Sequence, residues 1–236
     1  MRALIGIASL ASMLLLTACA KQEPEPAKLG GPTAAQEEAW RQPLFTGLGD
    51  IHFPVTTNSE TAQQYFDQGL SLTWAFNHAA ADFAFNEAAL HDPDCAMCVW
   101  GSALVLGPNV NAAMDPSSAP RARALATRAH QLALANGTEK ERVLTAALLE
   151  RYAAEAPDDR TQLDVAYADA MRAAAAQFPD DVHIRTLMAE SLMDLHPWDF
   201  WLADGEQRPW TDEIVDTIET ALAMDPNHAG AIHLYI

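Results

Sequence analysis

The sequence predicts an all-α protein in which antiparallel helix pairs stack side by side as a right-handed helical-hairpin solenoid of about four repeats. From residue 57 onward, alanine-rich segments alternate with breaks rich in proline, aspartate, asparagine and glycine. Almost no segment alternates apolar and polar residues as a half-buried strand does. One spacing of small, aromatic and proline residues also recurs along the chain. These three observations favour repeated helical hairpins.

The first helix pair has the most complete pattern. Its first helix is predicted over "TAQQYFDQGLSLTWAFNH", where Thr57 or Ser59 can cap the start and Gly69 lets another helix approach closely. Its second helix is predicted over "AAADFAFNEAALHD". That helix and the residues after it carry the spacing A-x3-F-x2-A-x4-P in Ala81, Phe85, Ala88 and Pro93.

The same spacing returns in weaker form further along the chain. It recurs in Tyr167, Met171, Ala174 and Pro179, and again in Ile214, Ile218, Ala221 and Pro226. The helix pair between the first match and these echoes, "CAMCVWGSALVLG" with "PRARALATRAHQLALANG", keeps the interval in Ala122, Ala126 and Ala129 but lacks the closing proline. Two long insertions, "PNVNAAMDPSSA" and "HPWDFWLADGEQRPW", interrupt the pattern.

Over residues 57–236 this pattern resembles the tetratricopeptide repeat (TPR), although both insertions exceed the repeat length typical of that family. The resemblance implies a solenoid whose concave groove binds a peptide or protein, with no cofactor and no catalytic role. A non-repetitive helical bundle is the alternative. "HAGAIHLYI" resembles the first helix of a further repeat, so we expect the domain to be truncated at its C-terminus.

The N-terminus has the features of an export signal. Residues 1–18 combine one positive charge, at Arg2, with a short apolar run and small residues before Cys19. Leu16-Thr17-Ala18-Cys19 resembles a bacterial lipobox, which implies lipidation of Cys19 and, with Ala20 next, an outer-membrane anchor facing the periplasm. Residues 19–56 are polar and rich in proline and glutamate, so they are predicted to be a flexible tether. An ordinary secretory signal with an incidental cysteine is the alternative.

The formal net charge of −18 disfavours nucleic acid as a partner. The sequence contains no glycine-rich phosphate loop, no G-x-S-x-G elbow and no H-E-x-x-H metal motif. These observations favour a cell-envelope binding protein over an enzyme.

Cys95 and Cys98 lie three residues apart at the predicted start of a helix. In an oxidising compartment this spacing suits a disulfide. A thiol oxidoreductase is one alternative, since a helix N-terminus lowers a thiol's pKa. The other is a zinc or copper site made by His91, Cys95 and Cys98, which would make the chain a metal-binding protein or metalloenzyme.

The two insertions are the predicted ligand-binding regions, because long loops on a rigid scaffold are where binding residues collect. An aromatic pair beside a carboxylate can hold a peptide, a sugar or a cation. The alternative is that the tryptophans only fill a hydrophobic gap. Together with the end of the first helix, the insertions supply the candidate residues Trp74, Asn77, His78, Asn109, Asn111, Trp198, Asp199 and Trp201.

Overall fold

A computed structural model describes residues 42–236 of the chain. The signal-like segment 1–18, the lipobox cysteine Cys19 and residues 19–41 of the predicted tether lie outside the described residues. Within residues 42–236 no helix is both long enough and apolar enough to cross a membrane.

The described residues form nine α-helices and no strand, which confirms the all-α prediction. A short 3-10 helix at Pro116–Ser118 leads into α4. The α-helices are α1 Glu60–Trp74, α2 His78–His91, α3 Ala96–Leu104, α4 Ala119–Asn136, α5 Glu139–Glu150, α6 Thr161–Gln177, α7 Val182–Met193, α8 Thr211–Met224 and α9 Ala229–Tyr235.

Several helix starts follow directly from the local sequence. The Ser59 side chain accepts a hydrogen bond from the amide of Ala62 at the start of α1, and Asp181 caps α7 in the same way through Ile184. Thr138 and Glu141 form a reciprocal capping box at the start of α5. These caps place the helix boundaries at the breaks that the sequence predicts.

The repeating positions are the ones that hold the pairs together. All twelve of their side chains that fall in helices are at most 5% exposed: Ala81, Phe85, Ala88, Ala122, Ala126, Ala129, Tyr167, Met171, Ala174, Ile214, Ile218 and Ala221. They lie on the second helix of each pair, on the face that packs against the neighbouring helices. The recurring spacing therefore marks core positions.

Phe85 shows why small residues are needed opposite an aromatic ring. A Cβ atom added to Gly69 on α1 would lie 2.6 Å from the Phe85 ring, and one added to Gly101 on α3 would lie closer still. The ring is fully buried between these two helices. Gly69 was predicted to allow close approach, and Gly101 has the same role in the next pair.

Each helix packs against the next one in chain order. The helices α1, α3, α5 and α7 are the first helices of the four pairs. Contacts among them and with α9 join α1 to α3, α3 to α5, and α9 to both α7 and α1. We call these five helices the inner helices. His233 of α9 donates from Nδ1 to the backbone carbonyl of Trp74 at the end of α1 (2.5 Å). The last described helix thus returns to the first.

Residues 51–58 run across the N-terminal ends of the inner helices. Phe53 is fully buried and stacks on His183 at the start of α7, with ring centroids 4.6 Å apart. Thr56 donates from its amide and its hydroxyl to the carboxylate of Glu141 on α5, at 2.6 Å each. This part of the predicted tether is therefore packed on the helices.

Two histidines at the N-terminal ends of the inner helices form a chain of hydrogen bonds in which every donor points the same way. The amide of Ala231 donates to Nδ1 of His228 (3.2 Å), which leaves Nε2 of His228 as the donor to Nδ1 of His183 (3.1 Å). Nε2 of His183 then donates to the carbonyl of His52 (3.1 Å). Both imidazoles must be neutral for this chain to form.

Acidification is expected to weaken this junction. Burial lowers the pKa of His228 to about 4, from 6.5, and lowers the pKa of His183 as well. As pH falls from 6.5 towards 4, these histidines bind protons in the unfolded chain but remain neutral in the folded chain. The free energy of unfolding therefore decreases. His228→Asn keeps an acceptor for the Ala231 amide but does not titrate. Denaturant unfolding measured at pH 7 and pH 4.5 should show a smaller acid loss in the variant, and equal losses would contradict the assignment.

Candidate functional site

The two insertions meet at the opposite end of the inner helices, where those helices finish. They enclose a cleft of about 650 Å³, a volume typical of ligand sites. Val110 and Asn111 come from the first insertion, and α8 supplies Thr211, Ile214, Val215 and Ile218. The second insertion and the ends of the inner helices supply the remaining lining residues: Phe76, Met193, Trp198, Phe200, Trp201, Gln207, His233, Leu234, Tyr235 and Ile236.

Two of the aromatic residues in the cleft have a backbone conformation that aromatic residues rarely adopt. Phe76 has φ of 54° and Trp198 has φ of 60°, and they are the two non-glycine residues with positive φ among residues 42–236. This conformation is costly for bulky side chains. Residues with strained backbone conformations occur often at ligand sites, where the surrounding structure maintains the strain as part of the function. Both strained residues of the described chain line this one cleft.

The cleft also exposes unusually large aromatic surface. Trp198 is 74% exposed and Trp201 is 54% exposed. Neither therefore fills an internal hydrophobic gap, which was the alternative to a binding role. Exposed aromatic rings grouped around a cavity are typical of interaction sites.

The second insertion is held in one shape by its own hydrogen bonds. Asp199 accepts from the guanidinium of Arg208 (2.9 Å), and its backbone carbonyl accepts from the indole of Trp210 (2.7 Å). The Trp210 ring in turn stacks on His196 with centroids 3.7 Å apart. Trp198 and Trp201 are thus presented by an ordered loop.

The first insertion is anchored through Asn109. Its backbone forms a tight pair of hydrogen bonds with Ala112, and its side-chain amide donates to His78 (3.2 Å). Burial, followed by the charge of Arg151, lowers the pKa of His78 to about 4, so this imidazole is neutral at pH 7 and can accept that bond.

Arg151 joins the bases of the two insertions. One guanidinium nitrogen, Nη2, donates both to the carbonyl of Pro108, where the first insertion begins (2.7 Å), and to the carboxylate of Asp194, just before the second (2.6 Å). The side chains of Arg151 and Asp194 are 1% and 3% exposed. This buried ion pair sets the separation of the two loops that form the cleft.

Glu190 adds a second carboxylate to the buried pair. Burial raises the pKa of Asp194 well above its usual range, with Glu190 acting in the same direction and Arg151 opposing both. Burial likewise raises the pKa of Glu190 against the effect of Arg151. Arg151 thus acts on two buried carboxyl groups, and the pKa of each is raised by burial.

The structure brings together three of the predicted ligand-binding residues. Asn111, Trp198 and Trp201 line the cleft. Of the others, Asp199, Asn109 and His78 support its walls as described above. Asn77 is an exposed residue at the start of α2, and Trp74 is 4% exposed in the core, packed against Gly230.

Sequence reasoning missed several residues of the cleft. Phe76, Phe200, His233 and Tyr235 belong to its lining, and Arg151 supports it from below. Phe76 and Phe200 are direct neighbours of predicted residues, so wider windows around those residues would have included them. His233 and Tyr235 carry no comparable signal, because they reach the cleft only when α9 packs beside α1.

Cys95 and Cys98 form a disulfide and are both fully buried. The Cys95 sulfur also accepts from the amide of Cys98 at the start of α3 (3.1 Å). His91, the third residue of the alternative metal site, stacks on the ring of Tyr65 with centroids 5.5 Å apart. Among residues 42–236 no three or more His, Cys, Asp or Glu side chains are grouped so that they could hold a metal ion.

We expect the disulfide to add modest stability. It closes a loop with a sequence separation of only three residues, for which the chain-entropy model gives about 2 kcal/mol. Cys95→Ser/Cys98→Ala should therefore stay folded and lose about that much in urea unfolding. A loss of more than about 4 kcal/mol would show that the cysteines do more than close this loop.

Comparison of the chain with protein-family models, with curated proteins and with solved structures gave no significant match.

Proposed function

We propose that this chain is a TPR-like helical-repeat protein of about four repeats, lipid-anchored through Cys19 at the outer membrane and facing the periplasm. It binds a peptide or protein segment in the cleft between its two insertions. The observation that carries the proposal is the convergence of both insertions, with two strained aromatic residues, on one open aromatic cleft.

The packing order supports the repeat assignment. The pairs α1–α2, α3–α4, α5–α6 and α7–α8 follow one another, and each pair contacts the next through neighbouring helices. The recurring small and aromatic positions supply the buried contacts. This is the arrangement in which each repeat buries its apolar face against its neighbours.

The cleft is a better site for a segment than a groove along the inner helices. All nine residues of α3 are buried, and nine of the twelve residues of α7 are buried. Helices α3 and α7 therefore leave little open surface along their length. At their C-terminal ends, in contrast, apolar and aromatic side chains border an open space with a few amide, hydroxyl and imidazole groups. That composition is typical of binding pockets.

Selection from a library of random 12-residue peptides tests the proposal. The bait is the whole 236-residue chain carrying Cys19→Ala, so that it is free of lipid. Affinities of the enriched peptides are then measured for Trp198→Ala, Trp201→Ala and the control Phe83→Ala, which removes a 56% exposed ring from α2 outside the cleft lining.

We expect each tryptophan variant to weaken binding at least tenfold, because buried aromatic anchors dominate interface energies. Phe83→Ala should bind as the parent does. Failure to enrich any peptide, or enriched peptides that bind the tryptophan variants as well as the control, would overturn the proposal.

A further inference from the structure

We propose that the cleft recognises the guanidinium group of an arginine in the bound segment. This inference rests on the proposed function and deepens it, because it names the chemistry of the anchor residue. Three features carry it: the aromatic lining of the cleft, the acidic sequence of the segments that contribute to it, and the helix ends that lie beside it.

The cleft lining contains several aromatic rings, and no Lys or Arg side chain among its described residues already occupies their faces. Trp198, Trp201, Phe76, Phe200 and Tyr235 all border the cleft, and among residues 42–236 no Lys, Arg, Asp or Glu belongs to its lining. A guanidinium is attracted to the negative face of such rings and is more weakly hydrated than an ammonium group, so it loses less on entering. Arg208 already lies over the ring of Trp210 in the same insertion, 5.9 Å from its centroid.

The three chain segments that contribute to the cleft are acidic in sequence. The first insertion, the second insertion and α8 together carry eight carboxylates, whereas Arg208 is their one cationic residue. Arg208 is held by Asp199, and Glu213 is paired with Arg172. The carboxylates are Asp115, Asp199, Asp204, Glu206, Asp212, Glu213, Asp216 and Glu219. Clustered charge of one sign around a cleft raises the local concentration of ligands of opposite charge.

The helix ends add a fixed negative potential. Helix α7 ends at Met193, which belongs to the lining, and Phe76, also in the lining, follows the end of α1. The carbonyl end of a helix carries a partial negative charge that favours cations. Asn111 and Gln207 also present side-chain oxygens that can accept from a guanidinium edge.

The test compares arginine with citrulline, which has nearly the same shape but no charge. Each peptide enriched on the whole chain is resynthesised with citrulline in place of its arginine, and both versions are titrated by calorimetry. We expect the enriched peptides to share an arginine and the citrulline versions to bind about tenfold more weakly, within the range of cation–π energies. In Trp201→Leu, which removes the ring but keeps an apolar side chain, the ratio should fall towards one, while in Phe83→Leu it should not change.

Enriched peptides without arginine, or citrulline versions that bind within twofold of the originals, would overturn the inference and leave the proposed function standing. A tenfold ratio that persists in Trp201→Leu would equally contradict recognition by the aromatic lining. If no peptide is enriched at all, the proposed function fails and the inference fails with it.

Discussion

Arg151→Met should lower the free energy of unfolding by about 3–5 kcal/mol at pH 7.5, because it removes the guanidinium that is paired with the buried carboxylate of Asp194. Arg151 also holds Pro108 beside Asp194. Its loss should therefore loosen the cleft as well as the core. Urea unfolding at equilibrium measures the first effect, and peptide affinity measures the second.

The pH dependence separates this explanation from a simple loss of packing. The pKa of Asp194 and that of Glu190 are already raised, and without Arg151 they should rise further. A group with a raised folded pKa stabilises the protein below its unfolded pKa, and that stability is lost as pH increases through the folded pKa. The cost of Arg151→Met should thus be smaller at pH 5 than at pH 7.5.

The control is Arg172→Met, which breaks ion pairs with Glu213 and Asp169 that are partly exposed to solvent. Exposed pairs contribute little, so this variant should lose less than about 1 kcal/mol. A similar loss in both variants, or a loss in Arg151→Met that does not change with pH, would show that the buried cluster is not held by charge.

Phe85→Ala is expected to cost about 3–5 kcal/mol, the range for deleting a fully buried aromatic ring. The cost should lie at the upper end because Gly69 and Gly101, which face the ring, have no side chains that could move into the cavity. Unfolding in urea with an unchanged m-value would show that the loss is one of stability.

Phe83→Ala is the matched control for this change. Phe83 lies two residues away on the same helix and is 56% exposed, so its removal should change stability by no more than about 0.5 kcal/mol. If the two variants lost equal stability, Phe85 would not be the contact that joins the first two helix pairs.

Much of the fold could be predicted because the repeat pattern is local. The spacing of Ala81, Phe85 and Ala88 sets one helix face, and the capping residues and prolines set the ends. That information lies within a few turns of sequence. The predicted core positions were therefore accurate even in segments where the pattern was weak.

The site could be predicted only in part, because its assembly depends on distant contacts. The sequence marks both insertions as candidate loops, but only helix stacking places Asn111 and Trp201, ninety residues apart, on one cleft. A charged residue at a helix end is usually exposed. Arg151 is buried and paired with Asp194, and no local pattern indicates that pairing.

Photo-crosslinking from both insertions tests most directly whether they form one binding site. A benzophenone amino acid is placed at Asn111 in one variant, at Gln207 in a second and at Phe83 in a third, and each is illuminated with the same enriched peptide. We predict that the peptide is captured from positions 111 and 207 and not from position 83. Capture from only one insertion, or equal capture from position 83, would contradict the account.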